Sequence, residues 1–135
     1  MKLKNILLGV DNIKDSIAFY RDLFGLQVIL NQDGNVILSE GLVLQDRKVW
    51  ENFIGQKVTY GHGDAELYFE EADLEAFQKK LNNCEYEIEY VNTLMKHDWG
   101  QRVIRIYDLD HHIIEIGEPA EVWNKNRNNQ TIQEK

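Results

Sequence analysis

The order of apolar and polar positions predicts one strand, one helix and three further strands in the first third of the chain. An apolar run from Leu3 to Val10 indicates a buried strand. Apolar side chains then recur at helical spacing over residues 13–24, with Asn12 in the N-cap position and Gly25 at the end. Short apolar runs separated by glycine-containing turn signals follow at Leu26–Leu30, Asn35–Ser39 and Leu42–Asp46. The pattern therefore predicts the order βαβββ.

The same order returns in the second half of the chain. After residues 47–63, which we interpret as a crossover, a strand is predicted at 65–70 and a helix capped by Asp73 follows it. Three more strands are predicted at residues 86–91, 101–108 and 111–116. Aligning the two strand–helix junctions places Asn12 on Asp73 and Asn5 on Glu66. The sequence thus predicts an internal duplication, with modules at about 1–46 and 64–118.

Composition limits the class of protein. The chain has 135 residues, of which 43% are hydrophobic and 28% charged, so we expect one globular domain over residues 1–123 and a polar tail over 124–135. A net charge of -8 argues against nucleic acid as a partner. The apolar runs are too short for a membrane span, and the lone Cys84 agrees with a reducing compartment. We expect a cytoplasmic protein without nucleic-acid or membrane partners.

Three stretches carry a family resemblance. They are residues 3–25, LKNILLGVDNIKDSIAFYRDLFG; residues 66–77, ELYFEEADLEAF; and residues 100–118, GQRVIRIYDLDHHIIEIGE. They resemble the opening strand and helix, the start of the second module and the closing hairpin of the vicinal oxygen chelate superfamily. This superfamily includes glyoxalase I, extradiol dioxygenases and bleomycin resistance proteins.

The resemblance implies an α+β fold of two βαβββ modules whose curved mixed sheets form a cleft. It also implies a homodimer, with modules pairing within one chain or between two. The metal positions of the family carry over to Asn5, Glu66 and Glu115, and to a residue near Val43 or Gln45. Because Asn5 and Glu66 replace the usual histidines, we expect no cofactor or a weakly bound divalent metal. Oxygen ligands favour Mg or Mn over Zn or Ni.

Strand alternation predicts which side chains of the second module face the cleft. The predicted set is Glu66, Tyr68, Glu87, Glu89, Val103, Arg105, Tyr107, Ile113 and Glu115. Four glutamates against one arginine would make this face acidic and attractive to cations. In the alternative interpretation Glu87 and Glu89 are simply solvated, and Arg105 pairs with Glu115 across the hairpin.

Two loops carry candidate aromatic and imidazole groups. Residues 93–100 are predicted to join two strands as a ligand-covering loop, in which Trp99 contacts ligand or acts as a hydrophobic plug. The adjacent His111 and His112 fall in a predicted hairpin turn. Since neighbouring strand residues point to opposite faces, we interpret this pair as turn-forming and not as metal ligands.

Two classes of function follow. A binding protein would hold a small cationic or aromatic molecule in the acidic cleft through Asn5, Tyr68, Trp99, Arg105 and Tyr107. An enzyme would be a glyoxalase-like lyase or isomerase, or a dioxygenase-type enzyme, acting on a small carbonyl or vicinal-oxygen substrate. Glu66 and Glu115 would then be its catalytic groups and its ligands for Mg, Mn, Ni or Zn.

Overall fold

The computed structural model describes residues 1–32, 34–59, 61 and 63–125. The first half contains β1 (Ile6–Val10), α1 (Ile13–Phe24), β2 (Val28–Gln32), β3 (Asn35–Leu38), β4 (Leu42–Asp46) and α2 (Arg47–Ile54). The second half contains β5 (Glu66–Glu70), α3 (Leu74–Asn83), β6 (Tyr90–Lys96), β7 (Arg102–Tyr107) and β8 (Ile113–Gly117). Residues 120–125 are helical, and the rest of the predicted tail, from residue 126 onward, lies outside the described residues.

The chain divides into two compact units, Met1–His62 and Gly63–Lys135. The first unit has an open sheet in the order β1-β4-β3-β2, in which β1 is parallel to β4 and the other pairs are antiparallel. The second unit repeats this arrangement as β5-β8-β7-β6. The predicted α+β fold of two βαβββ modules is confirmed.

Capping residues determine where the two predicted helices, α1 and α3, begin. The Asn12 side chain accepts a hydrogen bond from the Asp15 amide at 3.0 Å, and α1 ends at Gly25 with a φ of 70°. The Asp73 side chain caps α3 in the same way through the Ala76 amide at 3.0 Å. Such a cap stabilises a helix by about 1 kcal/mol. Both helices therefore begin where the sequence predicts.

Each unit has its own apolar core between its sheet and helix. In the first unit the buried side chains include Val10, Phe19, Tyr20, Leu23, Val36, Leu38, Leu42 and Leu44. In the second they include Leu74, Phe77, Leu81, Ile104, Ile106, Ile114 and Ile116. Burying each large apolar side chain contributes about 1.5 to 3 kcal/mol. Among the described residues, no helix has the length and apolar character to cross a membrane.

The prediction of a strand at residues 86–91 is wrong. The strand is β6, Tyr90–Lys96, so residues 93–96 belong to the sheet and not to a covering loop. Only residues 97–101 turn back from β6 to β7. The reason is that a strand extends only as far as its partner, and pairing with β7 starts at Tyr90 opposite Ile106. Residues 86–89 keep the alternating exposure without belonging to the strand.

The segment 47–63, interpreted as a crossover, begins with the helix α2. The side chain of Asp46 caps it by accepting from the Val49 amide at 3.1 Å, and Gly55 ends it with a φ of 70°. An aspartate directly before residues 47–54 and a glycine directly after them were the signals for this helix.

Candidate functional site

Four side chains line up across the sheet of the second unit. The strand register places Tyr68 beside Glu115, Glu115 beside Arg105, and Arg105 beside Asn92. Directly paired residues of neighbouring strands point to the same face of a sheet. We call Tyr68, Glu115, Arg105 and Asn92 the polar row. It crosses all four strands, as the alternation of Tyr68, Arg105 and Glu115 predicts.

Arg105 is held on both sides within the polar row. Its Nη2 donates to Glu115 Oε1 at 2.7 Å, and its Nη1 donates to Asn92 Oδ1 at 3.0 Å. The side chains of Arg105 and Glu115 are only 23% and 14% exposed. Partial removal from water strengthens this charge-assisted contact. The alternative interpretation, in which Arg105 pairs with Glu115, is confirmed.

Glu66 lies next to Glu115, and we call these two residues the carboxyl pair. Burial raises the pKa of Glu66, and a hydrogen bond with the Glu115 carboxyl and the charge of Glu115 raise it further. The positive charge of Arg105 opposes the shift. Glu66 therefore holds a proton more tightly than a solvated glutamate does.

Two exposed aromatic side chains lie at the Tyr68 end of the polar row. The Tyr68 hydroxyl accepts from Gln101 Nε2 at 2.9 Å, and Trp99 Nε1 donates to Gln101 Oε1 at 3.1 Å. Burial raises the pKa of Tyr68 against the effect of the Gln101 hydrogen bond. Gln101 was missed by sequence reasoning, because an isolated glutamine at a strand end carries no signal of such contacts.

The start of β7 is anchored to α3 and to the chain after β8. Arg102 Nη2 donates to Glu118 Oε2 at 2.9 Å, and its Nη1 donates to the Glu75 carboxylate. The hydrogen bonds with Glu118 and then Glu75 raise the pKa of Arg102. Glu118 is almost fully buried and also accepts from the Arg102 amide at 3.0 Å. This network fixes the backbone next to Gln101.

Tyr107 lies on the same strand as Arg105 but contacts a different set of residues. Its ring stacks on His111 with centroids 4.8 Å apart, and His111 Nε2 lies 2.8 Å from Glu89 Oε2. His112 Nδ1 lies 2.8 Å from Asp108 Oδ2 within the same turn. The two histidines thus organise the turn between β7 and β8, as predicted.

The face is less acidic than a count of its glutamates predicts. Glu115 is paired with Arg105, the pKa of Glu66 is raised above its ordinary value, and Glu89 contacts His111. Glu87 is exposed outside the strand. The charge of Glu115 is therefore compensated by Arg105.

The residues at the predicted metal positions do not fit a tightly held divalent ion. A metal on Glu115 would have to displace Arg105, which donates to Glu115 Oε1 at 2.7 Å. Asn5 belongs to the first unit, directly before β1, and its place beside Glu66 stays a prediction. Val43 and Gln45 are both buried, and neither offers a carboxylate or an imidazole.

Among the described residues, one group of three side chains has ligand atoms close enough to surround an ion: Asp108, Asp110 and His112. Asp108 Oδ1 accepts from the amides of Asp110 at 2.9 Å and His112 at 2.8 Å. Burial lowers the pKa of His112, but its hydrogen bond to Asp108 and the charges of both aspartates outweigh burial and raise it. Because a metal competes with a proton for the imidazole nitrogen, the raised pKa of His112 weakens metal binding, and the hydrogen bonds of this group serve the turn.

The comparisons agree with this architecture. The family model for the glyoxalase-like domain matches residues 3–121. The protein YraH of Bacillus subtilis is 28% identical over 125 residues, covering 86% of this chain and 97% of YraH. A crystal structure of a protein of unknown function from Agrobacterium tumefaciens is 32% identical, with a TM-score of 0.73 and coverage of 88% and 94%.

A glyoxalase/bleomycin resistance protein/dioxygenase from Nocardioides is 16% identical, with a TM-score of 0.70 and coverage of 87% of this chain and 83% of that one. At this identity the likeness concerns the fold alone. The family match covers nearly the whole described chain. The chain therefore belongs to the glyoxalase-like domain family, within the vicinal oxygen chelate superfamily.

Proposed function

We propose that the protein binds a small organic molecule, cationic or aromatic, over the polar row of the second unit. The observation that carries the proposal is the carboxyl pair anchored by Arg105 beside exposed aromatic rings. Sites for small molecules combine apolar surface with a few fixed polar groups. The polar row and its neighbours supply both.

The chemistry of the carboxyl pair suits a ligand with a donor group. Glu115 is a fixed acceptor because Arg105 holds it, and Glu66 places a second carboxyl group next to it. An ammonium or amine group of the ligand would donate to both carboxyl groups. The ring of Tyr68, which is 47% exposed, would contact an apolar part of the same ligand.

A thermal-shift screen of amines and aromatic compounds tests the proposal. We expect a compound that stabilises the wild type to lose its effect on Glu115→Gln and Glu66→Gln, which keep shape and remove charge. Loss of a charge-assisted contact costs about 1.5 to 3 kcal/mol, or roughly ten- to a hundredfold in affinity. Glu87→Gln is the matched control and should behave as wild type. Stabilisation that persists undiminished in both Glu66 and Glu115 variants would refute the proposed site.

A second function, a lyase or isomerase that moves protons, is favoured by the raised pKa of Glu66. A carboxyl group that titrates nearer neutrality is suited to general acid–base catalysis. Glu66 would take a proton from the carbon beside a substrate carbonyl and return it to a neighbouring atom, while Arg105 stays hydrogen-bonded to Glu115. Because the carboxyl pair does not fit a divalent metal, the proposal uses these side chains alone.

Hydrogen exchange separates the two functions. An enzyme of this kind would exchange the carbon-bound protons of methylglyoxal or dihydroxyacetone in D₂O faster than buffer does, as followed by proton NMR. The exchange should be lost in Glu66→Gln and kept in Glu87→Gln. Equal rates for wild type and Glu66→Gln would exclude the catalytic role of Glu66.

We also propose that two copies of the chain form a homodimer. The support is β2, an edge strand whose residues Val28, Ile29 and Leu30 are all exposed, Ile29 at 66%. An exposed apolar edge strand favours pairing with another chain. Sedimentation velocity should give a dimer for wild type and a monomer for Ile29→Lys. Val91→Lys, the same kind of change on the edge strand β6, is the control. A wild type that sediments only at 15.9 kDa would contradict the dimer.

A further inference from the structure

One amide group holds both exposed aromatic rings beside the polar row. Gln101 Nε2 donates to the Tyr68 hydroxyl at 2.9 Å, and Gln101 Oε1 accepts from Trp99 Nε1 at 3.1 Å. The same Nε2 donates to the carbonyl oxygen of Glu118 at 3.0 Å. These three contacts use both ends of the amide and so fix its orientation. Tyr68 and Trp99 are thereby linked through a single side chain.

Trp99 is held from a second direction. Its ring stacks on His97 with centroids 4.1 Å apart and planes at 13°. The turn that carries both is closed by hydrogen bonds from the His97 amide to the Gln101 carbonyl at 2.8 Å, and from the Gly100 amide to the His97 carbonyl at 2.9 Å. Trp99 nevertheless remains 47% exposed. An exposed indole that is braced in this way is organised before any ligand arrives.

Gly117 provides the space in which Tyr68 and Gln101 meet. A Cβ atom at position 117 would lie 2.7 Å from the Tyr68 hydroxyl oxygen and 2.8 Å from Gln101 Nε2. Both distances are shorter than van der Waals contact allows. The contact between Tyr68 and Gln101 therefore requires a residue without a side chain at this position of β8.

We propose that Gln101 is a positioning residue that holds Tyr68 and Trp99 as an aromatic subsite for a planar ring. His97 backs the indole, and Gly117 leaves room for the amide. The inference rests on the proposed function, because the polar end of the same ligand would contact the carboxyl pair. Rings already held in place lose less conformational freedom on binding, so the ligand binds more tightly.

Three probes distinguish the ring from the charge: tryptamine carries both, indole carries the ring alone, and propylamine carries the charge alone. Dissociation constants are measured by NMR titration for wild type, Gln101→Leu and Gly117→Ala. We expect tryptamine and indole to bind about three- to tenfold more weakly to both variants, as expected for lost aromatic contacts. Propylamine should bind equally to all three proteins.

Gln78→Leu is the matched control. Its amide donates to the Tyr90 hydroxyl at 2.9 Å, a glutamine–tyrosine contact of the same kind made from α3. This variant should bind all probes as wild type does. Gly117→Ala gives an independent result if Gln101→Leu does not fold, because it disturbs the same contact through the backbone.

The indole N–H resonance of Trp99, identified by its loss in Trp99→Phe, reports the subsite directly. In Gln101→Leu it should exchange faster with water, and in wild type it should shift on adding indole. Probe shifts at Glu115 without a shift at Trp99 would overturn the subsite and leave the proposed function standing. Unchanged affinities in Gln101→Leu, or no binding of any ring probe to wild type, would also overturn the subsite. The wider thermal-shift screen then decides the proposed function separately.

Discussion

The two sheets carry different chemistry at matching positions. In the first unit the register pairs Leu7 with Val43, Val43 with Ile37, and Ile37 with Leu30. We call these four residues the apolar row. It occupies the place that the polar row takes in the second unit, and both edge strands shift register just before the last residue of the row. The backbones of the two sheets thus share this register shift, whereas the side chains at the equivalent positions differ.

The difference indicates which sheet of a duplicated fold can carry a polar binding site. In β4 the residues from Leu42 to Gln45 are buried, so both faces of the strand are covered and Val43 is only 5% exposed. In β8 the equivalent Glu115 is partly exposed and paired with Arg105. The first sheet therefore has no room for an ionised group at this position, while the second is built around one. Substitutions that place a residue type of one row in the other row test this difference.

The largest effect is expected for Val43→Glu, which places a carboxylate in the apolar row. A buried charge without a partner costs about 3 to 5 kcal/mol. Because such a carboxyl has a raised pKa in the folded state, the loss should shrink as the pH falls towards the unfolded pKa of about 4.3. Urea unfolding measures the loss in the free energy of unfolding. Full stability of Val43→Glu at pH 7 would show that the first sheet tolerates the chemistry of the second.

Glu115→Val, the reverse exchange, removes the partner of Arg105. We expect a loss of about 2 to 3 kcal/mol, since a partly buried guanidinium loses its hydrogen-bonded carboxylate and keeps the uncharged partners Asn92 and Met95. Arg105→Ile/Glu115→Val gives the two central positions of the polar row the residue types of the apolar row, and it should be more stable than the two single changes predict. The difference in a double-mutant cycle, about 1 to 3 kcal/mol, measures the pair. Strict additivity would mean that the ion pair contributes nothing.

A smaller effect is expected for Gly117→Ala. The added methyl group collides with Tyr68 and Gln101 and should cost about 1 to 2 kcal/mol through overpacking. At the position equivalent to Gly117, the first sheet has the large Gln45, and it has Leu7 at the position equivalent to Tyr68. We therefore expect Gly117→Ala to cost less in a Tyr68→Leu background. The same loss in both backgrounds would assign the effect to the backbone of β8.

The smallest effect concerns pH. Because the folded-state pKa of Glu66 is raised above its ordinary value of 4.5, the proton it holds contributes stability fully below that value. This contribution is lost as the pH rises through the folded-state pKa. Glu66→Gln imitates the protonated form, so its stability should fall less than that of wild type over this window. Parallel pH profiles from urea unfolding would show that Glu66 titrates as a solvated residue.

Local features of the sequence predicted much of the fold. The positions of α1 and α3 follow from Asn12, Gly25 and Asp73, which act within a few residues of themselves. The range of β6 did not follow, since it depends on where β7 ends more than ten residues further along the chain. Hydrophobic periodicity shows which way a side chain points, but it does not show where pairing with the neighbouring strand ends.

The candidate site, like the fold, has some features that local sequence patterns predict and others that they do not. Alternation alone placed Tyr68, Arg105 and Glu115 on one face, because their strands are regular. It left open whether Arg105 pairs with Glu115, and the structure shows this pair. The role of Gln101 depends on contacts with Tyr68 and Glu118, which are 33 and 17 residues away, as well as with nearby Trp99, and no local pattern encodes the two distant contacts.

The central claim is that the second sheet, and not the first, binds small molecules. The most direct measurement is an NMR titration of uniformly labelled protein with tryptamine, which follows the backbone amides of both rows. We predict that the amides of Tyr68, Arg105 and Glu115 shift with a single dissociation constant while those of Leu7 and Val43 stay unchanged. Shifts confined to the apolar row, or an absence of shifts at the polar row, would contradict the account.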